Sequence, residues 1–168
     1  YEFENVPASA AQFLERHTRL APSSRSLAVA QDRIAEKDFF RRCGVPVQAY
    51  RSVASEAELA EALADVGIPG VLKTRRLGDD GKGQAVIRSE SAAASAWDSL
   101  GRVPCIYEAF VPFEREVSVV ATRGRCGTFE AHPLTRNEHR DGILRVSVAP
   151  DPDASIELRH AAEAHVRA

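Results

Sequence analysis

The sequence has no methionine, one tryptophan and three cysteines in 168 residues. A native open reading frame begins with Met, so its absence predicts a chain that has been processed, cropped or excised, with either end open to being artificial. Cys43, Cys105 and Cys126 are odd in number, widely spaced and without a Cys-x-x-Cys pair. They form neither a zinc-ligand pattern nor a disulfide framework, and a reducing cytoplasm is the expected setting. No apolar run approaches the ~18 residues that suggest a bilayer span, and nothing near Tyr1 reads as a secretory signal. Charge of one sign is also missing. Twenty-two Lys plus Arg against 24 Asp plus Glu leave a net −2, which supplies no uniform field for nucleic acid or anionic lipid. Neither a nucleic acid nor a membrane is expected as a partner.

What is present suits a folded domain. Hydrophobic residues make up 44% of the chain, and a length near 170 residues allows one domain, or one and a piece, with burial of roughly 70% of the unfolded surface. Residues 1–26 read as the tail of a preceding unit, with a helix-like stretch around Phe13, Leu14 and Leu20. A helix is predicted from Leu27 to Cys43, stopped by Gly44 and Pro46. Ser55 with Glu58 forms a capping-box pattern before Leu59, Leu63 and Val66 at helical spacing. Strands are predicted at 70–74 and 84–87, a helix at 91–100, then strands at 105–110, 116–122, 128–131 and 143–148, and a helix from Asp153 onward. Alternating patterns in the later strands indicate antiparallel pairing, and the mixture is an α+β fold.

The strongest local chemical signal is Leu77-Gly78-Asp79-Asp80-Gly81-Lys82-Gly83-Gln84, just beyond the strand carrying Lys73. Its glycines permit close approach of backbone N–H groups to an anion, and Lys82 adds a point charge, as a phosphate-gripping loop requires. The same string also suits a tight hairpin turn. It is neither a P-loop nor a dinucleotide fingerprint, because no helix follows directly. Lys73 sits in the apolar run Val71-Leu72-Lys73, so it is either a buried cation awaiting an anion or a snorkelling edge-strand lysine.

Glu108 and Glu116 bracket the apolar linker Ala109-Phe110-Val111-Pro112-Phe113. Backbone exposed there would match an adenine edge, and the following carboxylate would accept two ribose hydroxyls. The alternative is a solvated, self-neutralising cluster at Glu114-Arg115-Glu116. His139 falls in the polar segment Asn137-Glu138-His139-Arg140-Asp141-Gly142, which reads as a turn, and either reaches a ligand or is an ordinary loop residue. His17, His160 and His165 are too scattered to suggest a metal site, and Trp97 with Ala93 and Leu100 reads as helix packing.

Taken in order, YEFENVP, QDRIAEKDFF, VLKTRRLGDDGKGQ, CIYEAFVPFEREVSVV and HPLTRNEHRDGILRVSVAP resemble the 5-(carboxyamino)imidazole ribonucleotide synthetase family of the ATP-grasp superfamily, from Tyr1 to about Pro150. EFENVP and NxHxDGIL are specific to that family. The resemblance implies an ATP-grasp fold with ATP held by two α+β subdomains. Its parts would be the end of a Rossmann-like amino-terminal domain at 1–26, a linking helix at 27–44, the small subdomain at 45–110 and the start of the large one at 111–168. It implies a ligase that uses MgATP and bicarbonate to form carboxyphosphate and carboxylate aminoimidazole ribonucleotide in de novo purine synthesis. Dimers in the family also raise the expectation of a homodimer.

By motif, Arg33 and Lys73 would contact ATP phosphates, Gly78 to Gln84 would cover them, Glu108 to Val111 would hold adenine, Glu116 the ribose, and His139 would line the nucleotide site. Read without the resemblance, Arg33 is a helical surface charge. The family's loop reads Gly-Tyr-Asp-Gly where this chain has Asp79 for the tyrosine. The family's carboxy-terminal acidic segment, expected to hold Mg²⁺, is not among these residues, so the chain by itself is expected to be inactive. Two other readings stay open: a sibling ATP-grasp carboxylate-amine ligase, and a nucleotide-binding paralogue without catalysis.

Overall fold

In the computed structural model every residue is described except 2, 79–82 and 141. Two compact units divide the described residues, Tyr1–Val111 and Pro112–Ala168. No helix among the described residues is long and apolar enough to cross a membrane.

The first unit begins with three helices, α1 (Ala8–Glu15), α2 (Ser24–Ala30) and α3 (Arg33–Arg42). The single helix expected over 27–43 is therefore two. Asp32 interrupts it: its carboxylate accepts from the amides of Ile34 and Ala35, while the Arg33 amide donates to the carbonyl of Arg75 at 3.1 Å instead of continuing the helix. The far end of α3 is stopped as expected. Gly44 adopts φ +76°, and the amides of Gly44 and Val45 return to the carbonyls of Arg41 and Phe40.

A four-stranded antiparallel sheet follows, in the order β1 (Tyr50–Val53), β4 (Cys105–Ala109), β2 (Gly70–Thr74), β3 (Gln84–Ile87). Strand β1 is not among the strands that the sequence pattern predicts. One sheet face is apolar. Val53, Leu72, Ile87, Cys105 and Tyr107 pack there with Leu59 and Ala62 of α4 (Glu56–Val66) and Ala93 and Trp97 of α5 (Ala93–Ser99). The α4 cap resembles the expected box: Ser55 Oγ accepts from the Glu58 amide, and Glu58 in turn accepts from the amide of Ala54. Diagonally across from Tyr107, and registered with Ala109, β2 must carry Gly70, since a Cβ there would lie 2.2 Å from the Tyr107 ring. The Cys105 thiol is buried in this core, which pushes its pKa up to about 11.

The second unit holds a three-stranded sheet, β5 (Glu116–Ser118), β8 (Thr135–Arg140), β9 (Ile143–Val148), a two-stranded ribbon of β6 (Ala121–Arg123) with β7 (Phe129–Ala131), and the closing helix α6 (Ile156–Arg167). The strand expected over 116–122 is divided at Val119 and Val120 because its halves pair with different partners, β8 and β7. The expected turn at 137–142 is corrected likewise. Asn137 to Arg140 extend in β8, all paired to β9 and Asn137 to β5 as well. Asp151 is fully buried in this unit, with Arg115 and Arg136 guanidinium nitrogens at 3.7 and 3.9 Å.

Candidate functional site

The second face of the four-stranded sheet is mixed, with Lys73, Gln84 and Glu108 among Val71, Val86 and Ile106, and helix α3 supplies side chains to it. Val71 and Glu108 are cross-strand partners, which sets Lys73, two residues further along β2, diagonally beside Glu108 on the same face. Lys73 Nζ donates to Glu108 Oε2 at 2.7 Å, Gln48 donates to the same oxygen at 2.8 Å, and Lys37 Nζ from α3 lies 3.2 Å from Oε1. The Glu108 side chain is 3% exposed, Lys37 14% and Lys73 24%. Burial works to raise the Glu108 pKa, but the hydrogen bond and charge of Lys73, with those of Lys37, hold it below the ordinary carboxylate value. Lys73 is on an inner strand, so it is not the edge-strand lysine that the sequence allowed.

Around Lys73 the glycine-rich segment returns the chain to β3. Strands β2 and β3 pair antiparallel with Lys73 opposite Gln84, so nine residues, 75–83, connect them. The connection is a hairpin but not a tight turn. Asp79, Asp80, Gly81 and Lys82 lie outside the described residues. Gly78 and Gly83 close the stem: a Cβ on Gly83 would meet the Cα of Gly78 at 2.7 Å, and one on Gly78 would meet Thr74 Oγ1 at 2.5 Å. A side chain on Gly83 would force the stem apart, because what it meets is backbone.

Arg33 joins this stem. Its Nε donates to the Thr74 carbonyl at 3.2 Å, and its Nη2 would lie 3.6 Å from a Cβ on Gly78. Behind it, Arg75 Nε donates to both oxygens of Asp32, at 2.7 and 2.9 Å. Burial works to raise the Asp32 pKa, and the Arg75 hydrogen bond with the helix amides outweighs it to hold the carboxyl low. A polar cavity of about 150 Å³ is lined by Arg33, Arg75, Arg76 and Gly78, with Glu4 and Asn5 from the amino-terminal segment. Thus Arg33, Gly78, Gly83 and Gln84 gather at one end of the sheet with the backbone of Lys73, whose ammonium group is turned to Glu108. Asp32, Lys37 and Gln48 belong to the same neighbourhood, and sequence inspection missed them.

The linker after β4 is only partly open. Among the described residues the amides of Ala109 and Phe110 donate to the carbonyls of Ala49 and Pro69, whereas that of Val111 has no backbone acceptor. Of residues 108–111, Val111 is the one whose N–H makes no backbone hydrogen bond among the described residues, and the Glu108 side chain is committed to the two lysines and Gln48. In the second unit Glu116 and His139 meet. Glu116 is registered with Asn137, two residues before His139 on β8, and His139 Nδ1 lies 2.7 Å from Glu116 Oε2. Both side chains remain well exposed. Among the described residues no group of three His, Cys, Asp or Glu side chains could hold a metal ion.

An N5-carboxyaminoimidazole ribonucleotide synthase of Pseudomonas aeruginosa is 48% identical over 149 residues, covering 89% of this chain and 41% of that protein. The crystal structure of the synthetase from Thermus thermophilus matches with a TM-score of 0.91 and 48% identity, over 99% of this chain and 45% of that one. That of the Staphylococcus aureus synthetase complexed with ADP matches at 0.91 with 30% identity, over 99% of this chain and 44% of that one. The chain thus spans less than half the length of these relatives. The ATP-grasp domain pattern matches residues 38–168, which include the strands carrying Lys73, Glu108, Glu116 and His139. On that match, which takes in both sheets, the chain belongs to the ATP-grasp family.

Proposed function

We propose that the full-length protein carrying this chain is an ATP-dependent ligase that carboxylates aminoimidazole ribonucleotide with bicarbonate, by way of carboxyphosphate, to give N5-carboxyaminoimidazole ribonucleotide, ADP and phosphate. The observation that carries this reading is the approach of Arg33 to the glycine stem and to Thr74, next in the chain to Lys73, in a chain 48% identical to a synthase of that name. Residues 45–110 would form the small ATP-grasp subdomain and those from 111 the large one, with 1–26 belonging to a preceding domain.

Phosphoryl transfer asks a protein for alignment and charge neutralisation more than for covalent participation. In this reading Lys73 and Arg33 neutralise the polyphosphate, while the backbone from Gly78 to Gln84 covers it and keeps water from carboxyphosphate. The Val111 amide meets the adenine edge, Glu116 accepts ribose hydroxyls, and His139 orients Glu116 through their 2.7 Å contact. A cytoplasmic homodimer completes the reading, open to test by sedimentation.

The decisive experiment is phosphate release from ATP by the full-length protein with bicarbonate, with and without aminoimidazole ribonucleotide, beside Lys73→Ala. Stimulation by the imidazole nucleotide that collapses in the variant is the expected result. Stimulation by formate with glycinamide ribonucleotide instead would mark a sibling ligase. ATP binding with no stimulation would mark a silent paralogue in which Asp79 has replaced the family's tyrosine.

A further inference from the structure

We propose that Lys37 is a positioning residue of the nucleotide site: by holding Glu108 it leaves Lys73 able to turn from that carboxylate to a polyphosphate. This deepens the reading of Lys73 as a phosphate contact and rests on it. Glu108 carries one negative charge, is almost wholly buried, and has ammonium groups on both of its oxygens. A carboxylate paired to one lysine alone would be neutralised by it and would retain it. Among the described residues the cluster has one cation in excess, which favours an arriving anion.

If Lys73 swings toward phosphate, Glu108 keeps Lys37 at 3.2 Å on Oε1 and Gln48 at 2.8 Å on Oε2. Remove Lys37 and the same movement strands a buried carboxylate with a single neutral donor, beside an incoming anion that it repels. Lys37 is well placed for this because α3 holds it against the sheet: its neighbour Asp38 accepts from the Tyr50 hydroxyl, and the Arg41 guanidinium stacks 4.6 Å from the Tyr50 ring.

The test measures ATP dissociation constants by calorimetry on the full-length protein and on Lys37→Met, Lys37→Arg, Glu108→Gln, Lys73→Ala and the Lys37→Met/Glu108→Gln double variant, with thermal midpoints recorded. Lys37→Met should weaken ATP binding about ten-fold and Lys37→Arg should restore most of it, as expected for members of one charge network. In the Glu108→Gln background no carboxylate remains for Lys37 to hold, so adding Lys37→Met should change the affinity by less than about two-fold. Equal effects of Lys37→Met in both backgrounds, or a lowered midpoint with unchanged affinity, would overturn the proposal. If Lys37→Met does not fold, Lys37→Gln is read in its place by the same criteria. A loss of binding in Lys73→Ala with none in Lys37→Met defeats this inference alone, whereas unchanged binding in Lys73→Ala defeats the phosphate-site reading beneath it.

Discussion

In the first unit a buried carboxylate, Glu108, is shared between two ammonium groups, whereas in the second the Glu116–His139 pair leaves 42% and 33% of its side chains exposed. The distances are similar, 2.7 Å for Lys73 to Glu108 and for His139 to Glu116, so geometry alone does not separate them. Solvent does. Breaking a desolvated pair strands a charge that water cannot reach, while an exposed pair reopens into water at little cost. Loss of Glu108 should therefore cost the first unit more than loss of Glu116 costs the second.

Removing the carboxylate from the buried cluster should have the largest effect. Glu108→Ala leaves Lys37 and Lys73 facing each other on a half-dry surface and should lower unfolding stability by about 3–5 kcal/mol, measured by urea titration. A loss below about 1 kcal/mol, the range of an exposed pair, would erase the contrast between the units. Asp32→Ala comes next. It removes the cap of α3 and should cost about 2 kcal/mol, with little added by the partly exposed Arg75, as the same titration would report.

The acid limb should show a smaller, graded effect. Because Glu108 is held below its ordinary value of 4.5 in the folded state, its contribution to stability is complete above that value and is lost as pH falls through the lowered one. Glu108→Gln should flatten this part of the pH–stability curve, and an unchanged slope would remove Glu108 from it. The smallest effect belongs to the exposed pair. Glu116→Gln or His139→Ala should change stability by well under about 1 kcal/mol, yet Glu116→Gln should weaken ATP binding in calorimetry if ribose is its partner. A stability loss as large as that of Glu108→Ala would place this pair, too, among structural ion pairs.

Particular elements show what local pattern could reveal. Strands β2, β3 and β9 carry apolar residues between turn formers, and their observed limits, Gly70–Thr74, Gln84–Ile87 and Ile143–Val148, are those the pattern predicts. Helix α4 announces itself through Ser55 and Glu58. Strand β8 does not, since Asn137, Glu138, His139 and Arg140 have the composition of a turn, and only pairing with β9, with β5 added as far as Asn137, makes them a strand. The break before α3 is equally silent, because the carbonyl that draws the Arg33 amide away belongs to Arg75, 42 positions further along.

Spacing and composition suffice for the α+β class, for most of the elements, and for the residue types that could meet a nucleotide: a lysine in an apolar strand, a glycine-rich connection, a carboxylate after a linker. These are signals that act over a few residues. The partners of those residues come from the folded arrangement alone. It sets Lys73 on an inner strand beside Glu108, brings Lys37 across from α3 to the other oxygen, and joins Glu116 to His139. Charges 35 and 71 positions apart acquire a common fate only when strand register and burial bring them together, because desolvation rather than sequence distance sets how strongly they interact.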